Sequence, residues 1–76
     1  MAHRQPDQKM HLNNYCQGAG RRYQFVTTPH GPRHAPTWSS IVYVDEQQFG
    51  TGQGPSAIAA ENMAAAQALN LINQGY

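Results

Sequence analysis

Apolar residues along the chain fall first into a helical period, then into strand alternation, then into a helical period again. From about Lys9 they recur as Leu12, Tyr15, Cys16 and Ala19, spaced i, i+3, i+4 and i+7. That spacing makes one stripe of an amphipathic helix, with Gly18 and Gly20 as its stop signals. Tyr23 to Thr28 alternates roughly and is rich in β-branched and aromatic residues, which predicts a first strand. Pro29 to Pro36 holds three prolines and a glycine, a composition that excludes helix and central strand and predicts a loop. Trp38, Ser40, Val42 and Val44 then alternate with Ser39, Ile41 and Tyr43, a second strand with one face on a core. Asp45 to Gln48 reads as a polar turn, and Phe49 to Gln53 as a short third strand weakened by glycine.

Ser56 to Asn73 carries the strongest helical signal: seven of these eighteen residues are alanine, the best helix former. Ala60, Ala64, Ala68 and Ile72 recur at i+4, flanked by Ala65 and Leu69, and small side chains let such a helix lie close to a sheet. Gly75 follows as a stop. The order predicts an α+β fold, α-β-β-β-α, with a three-stranded antiparallel sheet. Both helices pack on one face of it, because neither can bury its stripe elsewhere. Residues 1–8 are expected to be a disordered lead-in or linker, and residues 9–75 the domain.

Composition narrows the function without naming it. Seventy-six residues make one domain near the lower limit for a self-sufficient core, and a single cysteine excludes an internal disulfide framework. Met1 to Pro6 is polar, so no signal peptide is expected, and no run approaches the ~20 apolar residues of a membrane span. An intracellular protein, cytoplasmic or nuclear, is the expectation. Five basic residues face four acidic ones, a net charge of +1, less than most nucleic-acid modules carry. The histidines at 3, 11, 30 and 34 with Cys16 show no C-x-x-C pair and no convergent set of four zinc ligands, so no metal or cofactor is expected. Cys16 lies on the buried stripe as a small core residue. Gly50-x-Gly52-x-Gly54 lacks both the Walker lysine and the G-x-G-x-x-G spacing of nucleotide loops. The carboxylates are not paired for acid–base work, so neither an enzyme nor a small-molecule substrate is expected.

The most specific pattern is joint. Gly31-Pro32-Arg33-His34-Ala35-Pro36-Thr37-Trp38 precedes Val42-x-Val44, then Gly52-x-Gly54-x-Ser56, then Ala64-Ala65-x-x-Ala68-Leu69. In order and spacing this resembles the double-stranded RNA-binding domain, over roughly Lys9 to Gln74. The resemblance implies the α-β-β-β-α fold and a module that reads duplex shape over about 16 base pairs. It also implies three contact regions. The exposed face of helix one would offer His11, Asn14 and Gln17 to minor-groove 2′-hydroxyls, Asn14 standing where relatives often carry glutamate or threonine. The loop would present Gly31, Pro32 and His34 to a second minor groove, with Arg33 available to a phosphate. The third is the start of helix two at Ser56, where unpaired amides and a partial positive charge can meet a phosphate.

The third region departs from the family pattern. Relatives open this helix with S-K-K-x-A-K; here Ala57, Ile58 and Glu61 replace the three lysines. At about 1 kcal/mol per exposed contact, the loss is roughly 3 kcal/mol, or about a hundredfold in affinity. Duplex RNA is therefore expected to bind weakly. The alternative stays open that Ala57, Ile58 and Glu61 belong to a surface for a protein partner or a homodimer, RNA binding having been lost.

Overall fold

The computed structural model describes residues 7–75, ordered as α1 (Gln8–Ala19), β1 (Tyr23–His30), β2 (Thr37–Val44), β3 (Gln47–Gly54) and α2 (Ala57–Asn73). The strands form one antiparallel sheet in the order β1-β2-β3. Of the expected lead-in, residues 1–6 lie outside the described residues. Asp7 caps α1, its Oδ1 accepting from Met10 N at 3.1 Å, so the helix begins at Gln8. At the far end Gly20 takes the left-handed conformation, φ +69°, and its N–H reaches the Cys16 and Gln17 carbonyls. Gly18 lies inside the last turn.

The strands differ from the sequence expectation in three ways. β1 continues through Pro29 to His30, which the proline count assigned to a loop; β1 is an edge strand, where a missing N–H is tolerated. The loop is thus residues 31–36. The second hairpin turns on Asp45 and Glu46 alone, with φ of +51° and +68°, and Gln47 and Gln48 already pair in β3. Two residues at positive φ match the twist of the flanking strands. Asp45 makes this possible by accepting from Arg21 Nε at 2.8 Å and from Arg22 N at 3.2 Å. Finally, Val42 pairs with Gly50 and Tyr43 with Gln48, leaving Phe49 as the extra residue of a bulge. The bulge returns Phe49 to the core face, where simple alternation would have turned it outward.

The core joins Leu12 and Cys16 of α1, Val42 and Val44 of β2, Phe49 of β3, and Ala64, Ala65 and Ala68 of α2. Burial pushes the Cys16 thiol pKa up, as expected of a core residue. Ala19, expected on the same stripe, is exposed because it sits at the capped end of α1 beyond this cluster. α2 contacts all three strands, and α1 packs chiefly against α2.

The inward face of β3 reads Gly50, Gly52, Gly54. A Cβ at Gly54 would lie 2.8 Å from Ala59 Cβ; at Gly50 or Gly52 it would drive into the carbonyl oxygens of Ala64 or Ala60. Backbone thus packs on backbone. Gly52→Ala should destabilise the domain by about 3 kcal/mol, at the severe end of overpacking, read as a lower urea midpoint. Gly18→Ala, with open space around its Cβ, should be neutral or stabilising by up to ~1 kcal/mol. Equal losses at the two positions would contradict this account of the packing.

Candidate nucleic-acid interface

The sheet register brings two of the three expected regions together. Pro29, Trp38 and Gly54 form one row across the sheet, so the 31–36 loop and the start of α2 emerge at the same end. In the loop Gly31 has φ +93°, a conformation that favours glycine. A turn closed by Ala35 N to Pro32 O at 3.2 Å leaves Pro32, Arg33 and His34 exposed. His30 is instead held on the strand, its Nε2 2.5 Å from Ser39 Oγ, and among the described residues no three metal-binding side chains converge.

At the start of α2, Ser56 Oγ accepts from Ala59 N at 3.1 Å. The cap occupies a lone pair of the hydroxyl and leaves its proton free to donate. The unpaired amides of the first turn point toward the loop side of the molecule.

The third region follows from α1. His11, Asn14 and Gln17 are all exposed and share one side of the helix. The side chain of Asn14 has no hydrogen-bond partner among the described residues. The first turn of α1 is tied to α2, since Lys9 N donates to Asn62 Oδ1 at 3.0 Å. Gln17 lies in the last turn of α1.

Ala57, Ile58 and Glu61 do not form one surface. Ile58 is 65% exposed and Ala57 half-buried. Glu61 turns inward: its Oε1 accepts from Lys9 Nζ at 2.6 Å and its Oε2 from Thr27 Oγ1 at 2.6 Å. Thr27 Oγ1 is also 3.0 Å from Ser40 Oγ, the buried polar side chain of β2. One carboxylate therefore links both helices to two strands. Burial alone would raise the Glu61 pKa, but the Lys9 and Thr27 hydrogen bonds outweigh it and hold the group below its ordinary range.

Sequence reading passed over Met10, Asn13 and Tyr23 and counted Lys9 only as a basic residue of the helix-one region; with Asp7 and Ile58 these line a shallow depression between the helices. Asn13 is fixed there by the Tyr23 hydroxyl, which donates to its Oδ1 at 2.6 Å. The Asn13-to-Tyr23 pairing, like that of Lys9 with Glu61, leaves no signal in the chain. Met10, by contrast, falls outside the apolar stripe of α1 and so marks an exposed apolar position.

Comparison with known proteins agrees with the fold. A family model described as the double-stranded RNA binding motif matches residues 8–72. The chain is 44% identical over 45 residues, 59% of its length, to Ribonuclease 3 of Roseiflexus sp. (strain RS-1). It is 33% identical over 67 residues, 87% of its length, to Ribonuclease 3 of Onion yellows phytoplasma (strain OY-M). These matches cover 19% and 28% of the two ribonucleases, so the chain spans less than a third of either. Among solved structures it is similar to dsRBD2 of DRB4, with TM-score 0.68 and 30% identity over 88% of this chain and 96% of that one. A structure of both DRB4 dsRBDs with their linker gives TM-score 0.71 and 30% identity, over 90% of this chain and 45% of that one.

Glu61→Gln should cost about 1 kcal/mol of stability at neutral pH by weakening a charge-assisted network. A carboxylate with a lowered folded pKa contributes stability that is present above its unfolded value, ordinarily 4.5, and is lost as pH falls through the folded value. The gap between the variant and the unaltered protein should therefore close on acidification below that point. Urea unfolding at several pH values checks this, and a pH-independent gap contradicts it.

Proposed function

The chain belongs to the double-stranded RNA binding motif family, and we propose that it is a non-catalytic module that binds A-form duplex RNA by shape, with low intrinsic affinity. The observation that carries this reading is the shared end of the sheet. There the exposed Pro32-Arg33-His34 loop and the Ser56-capped start of α2 both emerge, so one rigid duplex could meet them together. A loop stiffened by proline loses little freedom on docking, and the helix start offers amides and a dipole to a phosphate. His11 and Asn14 supply the hydrogen-bonding groups suited to 2′-hydroxyls.

Low affinity follows from charge. α2 carries no lysine or arginine, and its one charged residue, Glu61, is acidic. Phosphate neutralisation dominates nucleic-acid affinity, so such a module works best beside another RNA-binding unit, where tethering raises its effective concentration. A duplex-RNA ligand implies a setting in the cytoplasm or nucleus.

A second reading, docking of a protein partner or a second copy, is favoured by one observation. Ile58 is 65% exposed where relatives place charge, and Met10 beside it is 55% exposed. With Glu61 turned inward, Ile58 rather than the trio would carry this surface.

Fluorescence anisotropy of an RNA duplex of about 20 base pairs, longer than the ~16 the family spans, tests the first reading against DNA of matching sequence. Saturable binding to RNA alone is expected. The double variant Ala57→Lys/Ile58→Lys should tighten it about thirtyfold, from two contacts of ~1 kcal/mol each. RNA binding absent from both proteins sinks the reading. In that case self-association by sedimentation that Ile58→Asp abolishes would establish the second.

A further inference from the structure

Lys9 does not sit where the chain order suggests. It belongs to the first turn of α1, yet its ammonium lies against the second turn of α2, 2.6 Å from Glu61 Oε1. Its side chain remains 39% exposed, and it lines the same depression as Ile58, a position where relatives carry a phosphate-gripping lysine. The other cations of the described residues are elsewhere. Arg21 and Arg22 stand at the Asp45 end of the sheet, and Arg33 is in the loop. Lys9 is thus the cation that an ion pair ties to α2 itself.

We propose that Lys9 is the phosphate-contacting cation of this domain, delivered to the α2 surface from α1, and that Glu61 fixes its position while masking its charge. This rests on the duplex-RNA reading above. An ammonium has three donors. One is held by Glu61, and the ring of Phe25, 5.5 Å away, supports the same placement. Two donors are left over, and Lys9 lines the depression, where a backbone phosphate would receive them. The arrangement orders a flexible side chain before RNA arrives, but a carboxylate beside the phosphate cancels most of the attraction. Glu61 is thus a counter-ion at a position where relatives add positive charge.

An amide in place of the Glu61 carboxylate keeps the network's shape. Its oxygen can accept from Lys9, its nitrogen can donate to Thr27 Oγ1, and Thr27 can in turn donate to Ser40. Glu61→Lys, by contrast, sets two ammonium groups together and leaves Thr27 without its acceptor.

The test titrates the RNA duplex with the unaltered protein, Glu61→Gln, Lys9→Met, the Lys9→Met/Glu61→Gln double variant and Ala57→Lys/Ile58→Lys, at several salt concentrations. Glu61→Gln should bind about fivefold tighter, with a salt slope steeper by about one. The gain should vanish in the double variant. A folded Glu61→Gln with unchanged affinity and slope overturns the proposal, and so does a gain that survives without Lys9. Should Glu61→Gln fail to fold, NMR decides on the unaltered protein: the Lys9 ε-methylene signal should shift on RNA addition, and a static signal overturns the proposal. If only Ala57→Lys/Ile58→Lys binds, the docking surface stands and the Lys9 proposal falls. If no variant binds, the duplex-RNA reading falls and takes the proposal with it.

Discussion

Gly50, Gly52 and Gly54 present bare backbone to α2, and the helix meets them with Ala59, Ala60 and Ala64. Nothing larger than glycine fits on the strand side of that contact. Two consequences follow for the rest of the molecule. The helix axis comes close enough to the sheet for dispersion between backbones to replace the bulky side chains that a 76-residue chain has few of. The short passage from Gly54 through Pro55 to Ser56 also plants the helix start at one end of the sheet, beside the 31–36 loop. The candidate interface is positioned by the packing of glycine on alanine.

The polar groups are organised around that contact rather than across the surface. Ser40 is buried on the sheet face and would be costly alone; Thr27 satisfies it, and Thr27 is satisfied by Glu61. Glu61 in turn draws in Lys9, which anchors α1 through its backbone to Asn62. A second tie, Arg21 to Asp45, closes the opposite end and supports a turn whose two non-glycine residues hold positive φ. Asp45 is kept below the usual carboxylate range by Arg21 and then by the Arg22 N–H. Much of the chain's small stock of charge is therefore engaged within the fold. That is an unusual condition for a domain whose relatives meet a polyanion, and it makes shape rather than charge the basis of the proposed recognition.

The chain alone determined the element order, the antiparallel sheet, the alanine stripe of α2 and the family resemblance. Each depends on periodicity or on local conformational preference, and these act between near neighbours. The exposed His11, Asn14 and Gln17 and the Gly31 turn were legible for the same reason. Other features were decided only by the tertiary structure. Pro29 belongs to a strand because β1 is an edge, which no local pattern reports. Phe49 reaches the core through a bulge set by pairing with β2, and the second turn shrank to Asp45 and Glu46 once Arg21 and Arg22 supplied donors. Above all, Glu61 looked like an exposed member of a trio, because helical spacing places it one turn after Ala57. Its environment comes from Lys9 and Thr27, residues 52 and 34 positions away in the chain. Long-range pairing of charges leaves no periodic trace, so the chain showed that a lysine was missing and only the fold showed where another one had come to lie.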